Sequence, residues 1–288
     1  MNDVRRPDAV LGFHGPGTAM WRINREAVLL GAGPAALLLQ VAHPLIAAAV
    51  AAHSDFQGDP IGRLRRTLDT TMGLVFGDGP TAERAVRRLN GVHATVRGDV
   101  IDPQTSRLAG HERYRALDPE LLLWVQATLV VTSINACRRW VGPVSDSDAD
   151  ELWQEARGVG TRLGIPLRSS PVTWTALTHY WQRMLAPDGP IQVTDAARRM
   201  APMLIRPPVP LAPGWAVDAL ALPGLALLPP RIRDAYGIPW SPRRGRLAEG
   251  ICTGVRLWTR VVPVAWRSMP QARAAEQRVR VHARRPLP

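Results

Sequence analysis

The chain has 288 residues, of which 46% are hydrophobic and 21% charged, a composition typical of globular proteins that excludes a disordered or fibrous chain. Its formal net charge is +12, and all 36 basic side chains are arginine, since lysine is absent. This complete preference indicates a GC-rich coding sequence, so the charge alone does not predict binding to nucleic acid.

Residues 1–20 are expected to form an N-terminal arm. The Arg-Arg pair at 5–6 resembles the start of a secretory leader, but Pro7, Asp8 and His14 interrupt the apolar run that a leader requires. The sequence therefore predicts no signal peptide and a cytoplasmic location. The two cysteines lack metal-type spacing, and Cys137 is expected to be a small core residue.

The stretch LLGAGPAALLLQVAHP, residues 29–44, contains Gly31, Gly33 and Ala36 at the spacing of a dinucleotide-binding turn. That turn requires a buried strand before the glycines and an acidic residue after a second strand. The preceding segment is a poor strand, and the first acidic residue downstream, Asp55, follows an Ala-rich helical run. A Rossmann fold is therefore disfavoured.

The same region is long enough to cross a membrane, because residues 27–52 form a run of 26 without a charge. Gln40, His43 and Pro44 lie in its middle, where a bilayer would penalise them. The favoured interpretation is a buried helix pair broken at His43–Pro44, with the small residues marking close helix packing.

Two amphipathic helices are predicted next. The first begins after Asp59 and ends at Gly77, with one apolar face formed by Leu64, Leu68, Met72 and Val75. The second begins near residues 80–81, and its stripe is formed by Val86, Leu89, His93 and Val96.

A long helix begins after Asp118 as N-cap, with Pro119 at its first position, and ends near residues 138–139. It is apolar on nearly all sides, which predicts a central position. Another helix begins at Ser145. No segment alternates convincingly with period two, so the sequence predicts an all-α fold, a single globular helical domain over residues 21–270.

Residues 202–242 hold ten of the 27 prolines and are expected to form irregular loops and short helices that cover the body. The expected apolar anchors of this cover are Trp215, Leu220, Leu225 and Trp240. A final amphipathic helix is predicted from the three-to-four spacing of Leu247, Ile251, Val255, Trp258 and Val262.

The C-terminal region carries most of the excess charge, because eleven arginines from Arg243 onward face only two glutamates. Residues 271–288 are expected to be a basic tail. The simplest interpretation is a solvated helix followed by frayed chain. The alternative is a peripheral contact with an anionic membrane, helped by Trp258 and Trp266. No specific nucleic-acid partner is expected.

The histidines do not form any common zinc or hydrolase motif. His93 stands out because it lies on the apolar stripe of a predicted helix. It is either a core histidine satisfied by a neighbouring carbonyl or an axial ligand facing an apolar cavity. Arg66 and Thr70 are neighbours on the polar face of the preceding helix, where they either face solvent or form a polar cavity wall.

Three segments in order resemble one known family. They are LLLQVAHPLIAAAVAAHSDFQGDPIGRLRRTLDTTMGLVFGD, RRLNGVHATVRG and YRALDPELLLWVQATLV. Together they are similar to the rubber oxygenase catalytic-domain family, which includes latex-clearing proteins and fungal MpaB oxygenases. The resemblance covers roughly residues 20–270.

The resemblance implies a globin-like helical core that holds haem b. It places the family's axial histidine on His93 and its R-x-x-x-T element on Arg66 and Thr70, as catalytic residues, with Arg66 also near the cofactor. The family's catalytic glutamate has no counterpart, and His53 and Asp55 are the nearest polar candidates. A lysine beside the family's threonine is replaced by Asp69.

The resulting expectation is a haem-b-dependent oxygenase acting with dioxygen on a small lipophilic, alkene or isoprenoid-like substrate. The alternatives are a non-catalytic haem or lipid-binding protein, or a membrane-surface interaction protein that uses the Arg/Trp-rich C-terminus. The sequence does not predict an oligomeric state.

Overall fold

The computed structural model describes residues 7–53, 60–206 and 214–284, and these are predominantly helical. The first half contains α1 (Ala19–Asn24), a 3₁₀ helix (Ala27–Ala32), α2 (Gly33–Val41), α3 (Pro44–His53), α4 (Pro60–Phe76), α5 (Gly79–Thr95), α6 (Pro103–Ala109) and α7 (Pro119–Trp140). The second half contains α8 (Asp146–Arg162), a 3₁₀ helix (Leu167–Ser169), α9 (Trp174–Met184), α10 (Asp195–Ile205), α11 (Gly214–Leu225), α12 (Pro230–Ala235), α13 (Pro242–Val261), α14 (Val264–Arg267) and α15 (Pro270–Ala283). The all-α prediction is confirmed.

Within the described ranges the sheet structure amounts to two short antiparallel strands, β1 (Arg97–Asp99) and β2 (Arg113–Arg115). Gly98 lies opposite Tyr114 in this pair. Three residues are too few to show an alternating pattern, which is why the sequence did not predict these strands.

Helix α7 is the central element, as predicted. The Asp118 carboxylate caps it by accepting a hydrogen bond from the Glu120 N–H at 2.9 Å, and Pro119 occupies the first turn. Its side chains enter every apolar cluster of the core, so burial on all sides explains its uniformly apolar sequence. Helix α7 is also long and apolar enough to cross a membrane, but most of it is buried inside the protein.

The predicted helix break is confirmed, because α2 and α3 meet at His43–Pro44 with a bend of 104°. A 3₁₀ helix rather than a strand precedes Gly33, which removes the geometry of a dinucleotide-binding turn. A side chain at Gly31 would contact the Trp140 ring, whereas nothing lies near Gly33. The ring would lie 3.7 Å away, an ordinary van der Waals contact, so neither glycine is required by the space around its own side-chain position.

The proline-rich segment was expected to lie over the surface of the body, but part of it belongs to the core. Leu225 is buried as predicted, and Ile232 and Tyr236 of the α12 region join the core beside α2. Leu220 is 74% exposed, so its predicted role as an anchor is wrong. It lies on the side of α11 that faces away from the core. The side chain of Trp215 lies outside the described residues.

Helix α13 has the predicted position, and its predicted apolar stripe is partly buried, because Val255 packs against the core while Leu247 and Trp258 are exposed. Ala248, Cys252 and Thr259 face the core. The opposite side, which we term the outer face of α13, consists of four exposed apolar residues, Leu247, Leu257, Trp258 and Val261. Because apolar residues occur on both sides, their spacing alone did not identify the side that finds a partner.

Helix α15 occupies most of the segment that was expected to be a basic tail. Its Ala272 and Ala275 are buried in the core. Arg278 donates hydrogen bonds to the carbonyl oxygens of Val10 at 2.9 Å and Phe76 at 2.8 Å. Helix α15 thereby ties the N-terminal arm to the end of α4.

Candidate functional site

The candidate site lies on the hairpin of α4 and α5. These helices are joined by Gly77 and Asp78 only, so they run antiparallel. They approach closely at Gly73, where an added methyl group would lie 3.5 Å from the Ala85 Cβ atom. That distance is an ordinary van der Waals contact, so Gly73 faces the neighbouring helix and an alanine would also fit there.

Sequence accounts for the ends of this hairpin. The Asp78 carboxylate caps α5 by accepting a hydrogen bond from the Thr81 N–H at 2.9 Å. Gly77 ends α4, and a side chain there would collide with the Gly73 carbonyl oxygen. On α4 the predicted apolar face is confirmed at Met72 and Val75, while the side chain of Leu64 lies outside the described residues.

His93 lies in the last turn of α5 and is half-buried. Its Nδ1 atom is buried and has no hydrogen-bond partner among the described residues, so the satisfied core histidine of the alternative interpretation is not found. Burial lowers the pKa of His93 below its ordinary value, which keeps the imidazole neutral near pH 7. A neutral imidazole with an unpartnered nitrogen is chemically able to bind a metal.

Val86, Leu89 and Val96 are half-buried on the same stripe as His93. The stripe is thus neither core nor open surface, and it gives His93 an apolar setting. By the antiparallel arrangement, His93 lies level with the beginning of α4.

Arg66 and Thr70 lie one turn apart on α4, with Arg66 exposed and Thr70 half-buried. The Thr70 hydroxyl donates a hydrogen bond to the Arg66 carbonyl oxygen at 2.8 Å. Its proton is therefore engaged within the helix, and its lone pairs remain available to accept a hydrogen bond. The fold places both residues on the helix beside that of His93.

The sequence prediction overlooked a second R-x-x-x-T spacing on the same helix, formed by Arg63 and Thr67. Thr67 is exposed, and the Arg63 side chain lies outside the described residues. The two motifs are three residues apart and so lie on the same side of α4, one turn apart along it, which means that a variant of each is needed to tell them apart.

Of the two lower-ranked candidates, His53 is described and Asp55 lies outside the described residues. His53 is exposed at the end of α3, and its Nε2 atom is 3.1 Å from the Tyr114 hydroxyl. Tyr114 pairs across the sheet with Gly98, three residues after α5 ends. The fold thereby brings His53 to the same end of α5 as His93, through a tyrosine that the sequence did not single out.

Two other histidines have strongly lowered pKa values that the sequence did not predict. His14 is buried, its Nε2 atom has no partner among the described residues, and burial lowers its pKa to about 4. Burial likewise lowers the pKa of His43 to about 4, although the charge of Asp118 opposes the shift. Neither lies on a helical apolar stripe of the kind that singled out His93. In the described part of the chain no group of three His, Cys, Asp or Glu side chains is arranged to hold a metal ion.

The part of the chain that is similar to known proteins includes this site. The model of the family described as ER-bound oxygenase mpaB/B′/rubber oxygenase, catalytic domain, matches residues 20–262. That range includes His53, Arg66, Thr70 and His93 and leaves out His14. Two proteins named as uncharacterised, from Mycobacterium bovis and Mycobacterium tuberculosis, are each 29% identical over 238 residues, covering 78% of this chain and 86% of their own. No solved structure matches the chain.

Proposed function

Because the chain belongs to the family of MpaB and rubber oxygenase catalytic domains, an oxygenase family, we propose that it is a haem-b-dependent oxygenase acting on a small lipophilic substrate. The observation that carries the proposal is the buried, unpartnered Nδ1 atom of His93. A buried polar atom without a partner is costly, and a ligand that binds at this nitrogen would remove that cost.

The residues present fit a haem group. His93 would hold the iron, because it is neutral, sits on a rigid helix and has half-buried apolar neighbours. Bound haem would supply the ability to react with dioxygen and to transfer single electrons.

The polar side chains of α4 would bind and orient the polar groups of the substrate or the cofactor. Arg66 would place a permanent positive charge beside a developing oxyanion or a carboxylate of the cofactor. The Thr70 oxygen, whose proton is held by the Arg66 carbonyl, would accept a hydrogen bond. Val86, Leu89 and Val96 would exclude water and favour an apolar substrate such as an alkene.

The first test is an absorbance spectrum of the purified protein after haem supplementation. We expect a Soret band in the wild type and its loss in His93→Ala. His14→Ala and His179→Ala are matched controls, the first at the other unpartnered buried histidine and the second at an exposed one, and both should keep the band. Absence of the band in the wild type, or full haem content in His93→Ala, would overturn the proposal.

The second test separates the two R-x-x-x-T elements. With a short isoprenoid alkene as substrate, Arg66→Gln should lower oxygen consumption about 100-fold while the Soret band is kept, because one electrostatic donor is removed. Arg63→Gln removes the same charge from the same helix and should have a smaller effect. A larger loss for Arg63→Gln would move the assignment to that residue. If the wild type and the variants all bind haem and none consumes oxygen, the protein binds haem without catalysing a reaction.

The outer face of α13 favours a second, compatible function, peripheral binding to an anionic membrane. Val261 is 79% exposed and the nearby Trp266 81%, the exposed Arg260 precedes them, and the exposed Arg243 and Arg246 lie at the other end of α13. Tryptophan and apolar side chains beside basic ones are suited to the lipid–water interface.

Co-sedimentation with vesicles tests this function. We expect binding to phosphatidylglycerol and not to phosphatidylcholine, with a marked loss in Leu257→Ser/Val261→Ser. Val172→Ser, which changes an exposed apolar residue elsewhere, is the control. Equal binding to both lipids, or an unchanged double variant, would exclude it.

A further inference from the structure

A groove of about 600 Å³ lies where α12, the start of α13 and the end of α7 come together. Three arginines line it, Arg139, Arg233 and Arg246, together with Trp240 and Glu249. None of these residues belongs to the α4–α5 hairpin, so the groove is separate from the site proposed above.

Arg233 is the unusual member of this set. It is only 8% exposed, and its guanidinium carbon lies 3.9 Å from the centroid of the Trp240 ring. Its Nε atom is buried without a hydrogen-bond partner in the described ranges. Burial lowers its pKa from the ordinary value, yet a guanidinium remains charged at any physiological pH.

A buried charge needs a partner, and the carboxylate that acts on Arg233 is that of its exposed neighbour Asp234, whose charge opposes the lowering of the pKa without forming an ion pair. Glu249, the acidic residue of the groove, forms its ion pair with Arg139. Arg139 also donates to the Ala226 carbonyl oxygen at 3.3 Å. Neither Arg233 nor Arg246 forms an ion pair with a carboxylate of the described residues. The groove therefore keeps a net positive charge, because three arginines line it together with one glutamate.

We propose that this groove binds a small oxyanion group, a phosphate or a carboxylate, with Arg233 as its buried anchor and Arg246 as a second contact. The Arg233 fork supplies directed N–H donors that match the oxygen spacing of such a group. The Trp240 ring holds the guanidinium plane in place and so reduces the entropy that binding costs. The oxyanion comes either from a soluble molecule or from a lipid headgroup.

The test uses the full chain and measures thermal unfolding in inorganic phosphate, in acetate and in chloride at matched ionic strength. A ligand that binds only the folded state raises the melting temperature in a saturable way. We expect this response to phosphate or acetate but not to chloride, and we expect Arg246→Gln to weaken the apparent affinity about tenfold or more. Arg243→Gln, which removes the same charge from the same helix outside the groove, should leave the affinity unchanged.

Arg246 carries the test because it is exposed and its substitution should not impair folding, whereas Arg233→Gln changes a buried residue. A second experiment measures binding to phosphatidylglycerol vesicles. Its readout is how much more binding Arg246→Gln loses than Arg243→Gln does. A response only in this experiment identifies a lipid headgroup as the source. No saturable response in either experiment, or equal losses in the two variants, would overturn the proposal, and haem content does not enter either readout.

Discussion

At the scale of single residues, Gly31 and Gly33 show how similar sequence positions acquire different physical roles. The backbone of Gly31 lies against Gly224 of α11, where an added Cβ atom would come within 2.4 Å of the Gly31 carbonyl oxygen. Nothing lies within 4 Å of a Cβ atom added to Gly33. The contact that fixes this region therefore involves a glycine almost 200 positions downstream.

Gly224→Ala is expected to destabilise the protein by about 1–3 kcal/mol, because a backbone carbonyl cannot move aside as a flexible side chain can. Gly33→Ala is the matched control. Its residue has right-handed helical torsions and open space, so the free energy of unfolding should stay the same or rise by about 0.4–1 kcal/mol. Urea unfolding of both variants measures the difference, and a Gly224→Ala protein as stable as Gly33→Ala would show that the helices can separate freely.

At the scale of helices, capping links the α4–α5 hairpin to its sequence. Asp78→Ala should lower stability by about 1 kcal/mol, since it removes the side chain that accepts the Thr81 N–H. Asp78→Asn keeps an acceptor and should be close to the wild type. The measurement is urea unfolding together with hydrogen exchange at the Thr81 amide, which should quicken only in the alanine variant. Faster exchange in both variants would mean that the charge, rather than the hydrogen bond, protects this turn.

The helices whose ends carry strong local signals were predictable, and the faces that depend on a distant partner were not. Asp118 and Ser145 cap their helices as the sequence predicts, because an N-cap acts on residues two or three positions away. The buried side of α13 was predicted only in part, because Val255 of the predicted stripe packs against the core while Leu247 and Trp258 are exposed. Ala248, Cys252 and Thr259 are less apolar in sum than Leu247 and Trp258, yet they are the residues that meet the core.

The same distinction applies to the candidate site. The stripe that contains His93 was predictable from helical spacing, but the missing partner of its Nδ1 atom depends on which chain segments surround it. The groove at Arg233 combines residues from three elements, and Arg139 is 87 or more positions from its neighbours there. No local pattern in the sequence joins them.

At the scale of the whole molecule, buried histidines make stability depend on pH. Burial lowers the pKa of both His14 and His43 to about 4 from an ordinary value of 6.5. Between these values the unfolded chain binds protons that the folded protein does not, so stability falls as pH falls. The contribution is fully present above pH 6.5 and is lost by about pH 4.

We expect the free energy of unfolding to fall by up to about 1.4 kcal/mol per pH unit for each of the two histidines in this window. His14→Gln should reduce the slope by up to about 1.4 kcal/mol per pH unit, the share of one histidine, because glutamine does not titrate and approximates the size of imidazole. The exposed His179→Gln controls for the substitution itself. Urea unfolding at half-unit steps from pH 7 to 4 measures the slope. An identical slope in His14→Gln and wild type would show that His14 is protonated in the folded protein, which requires a partner for its Nε2 atom.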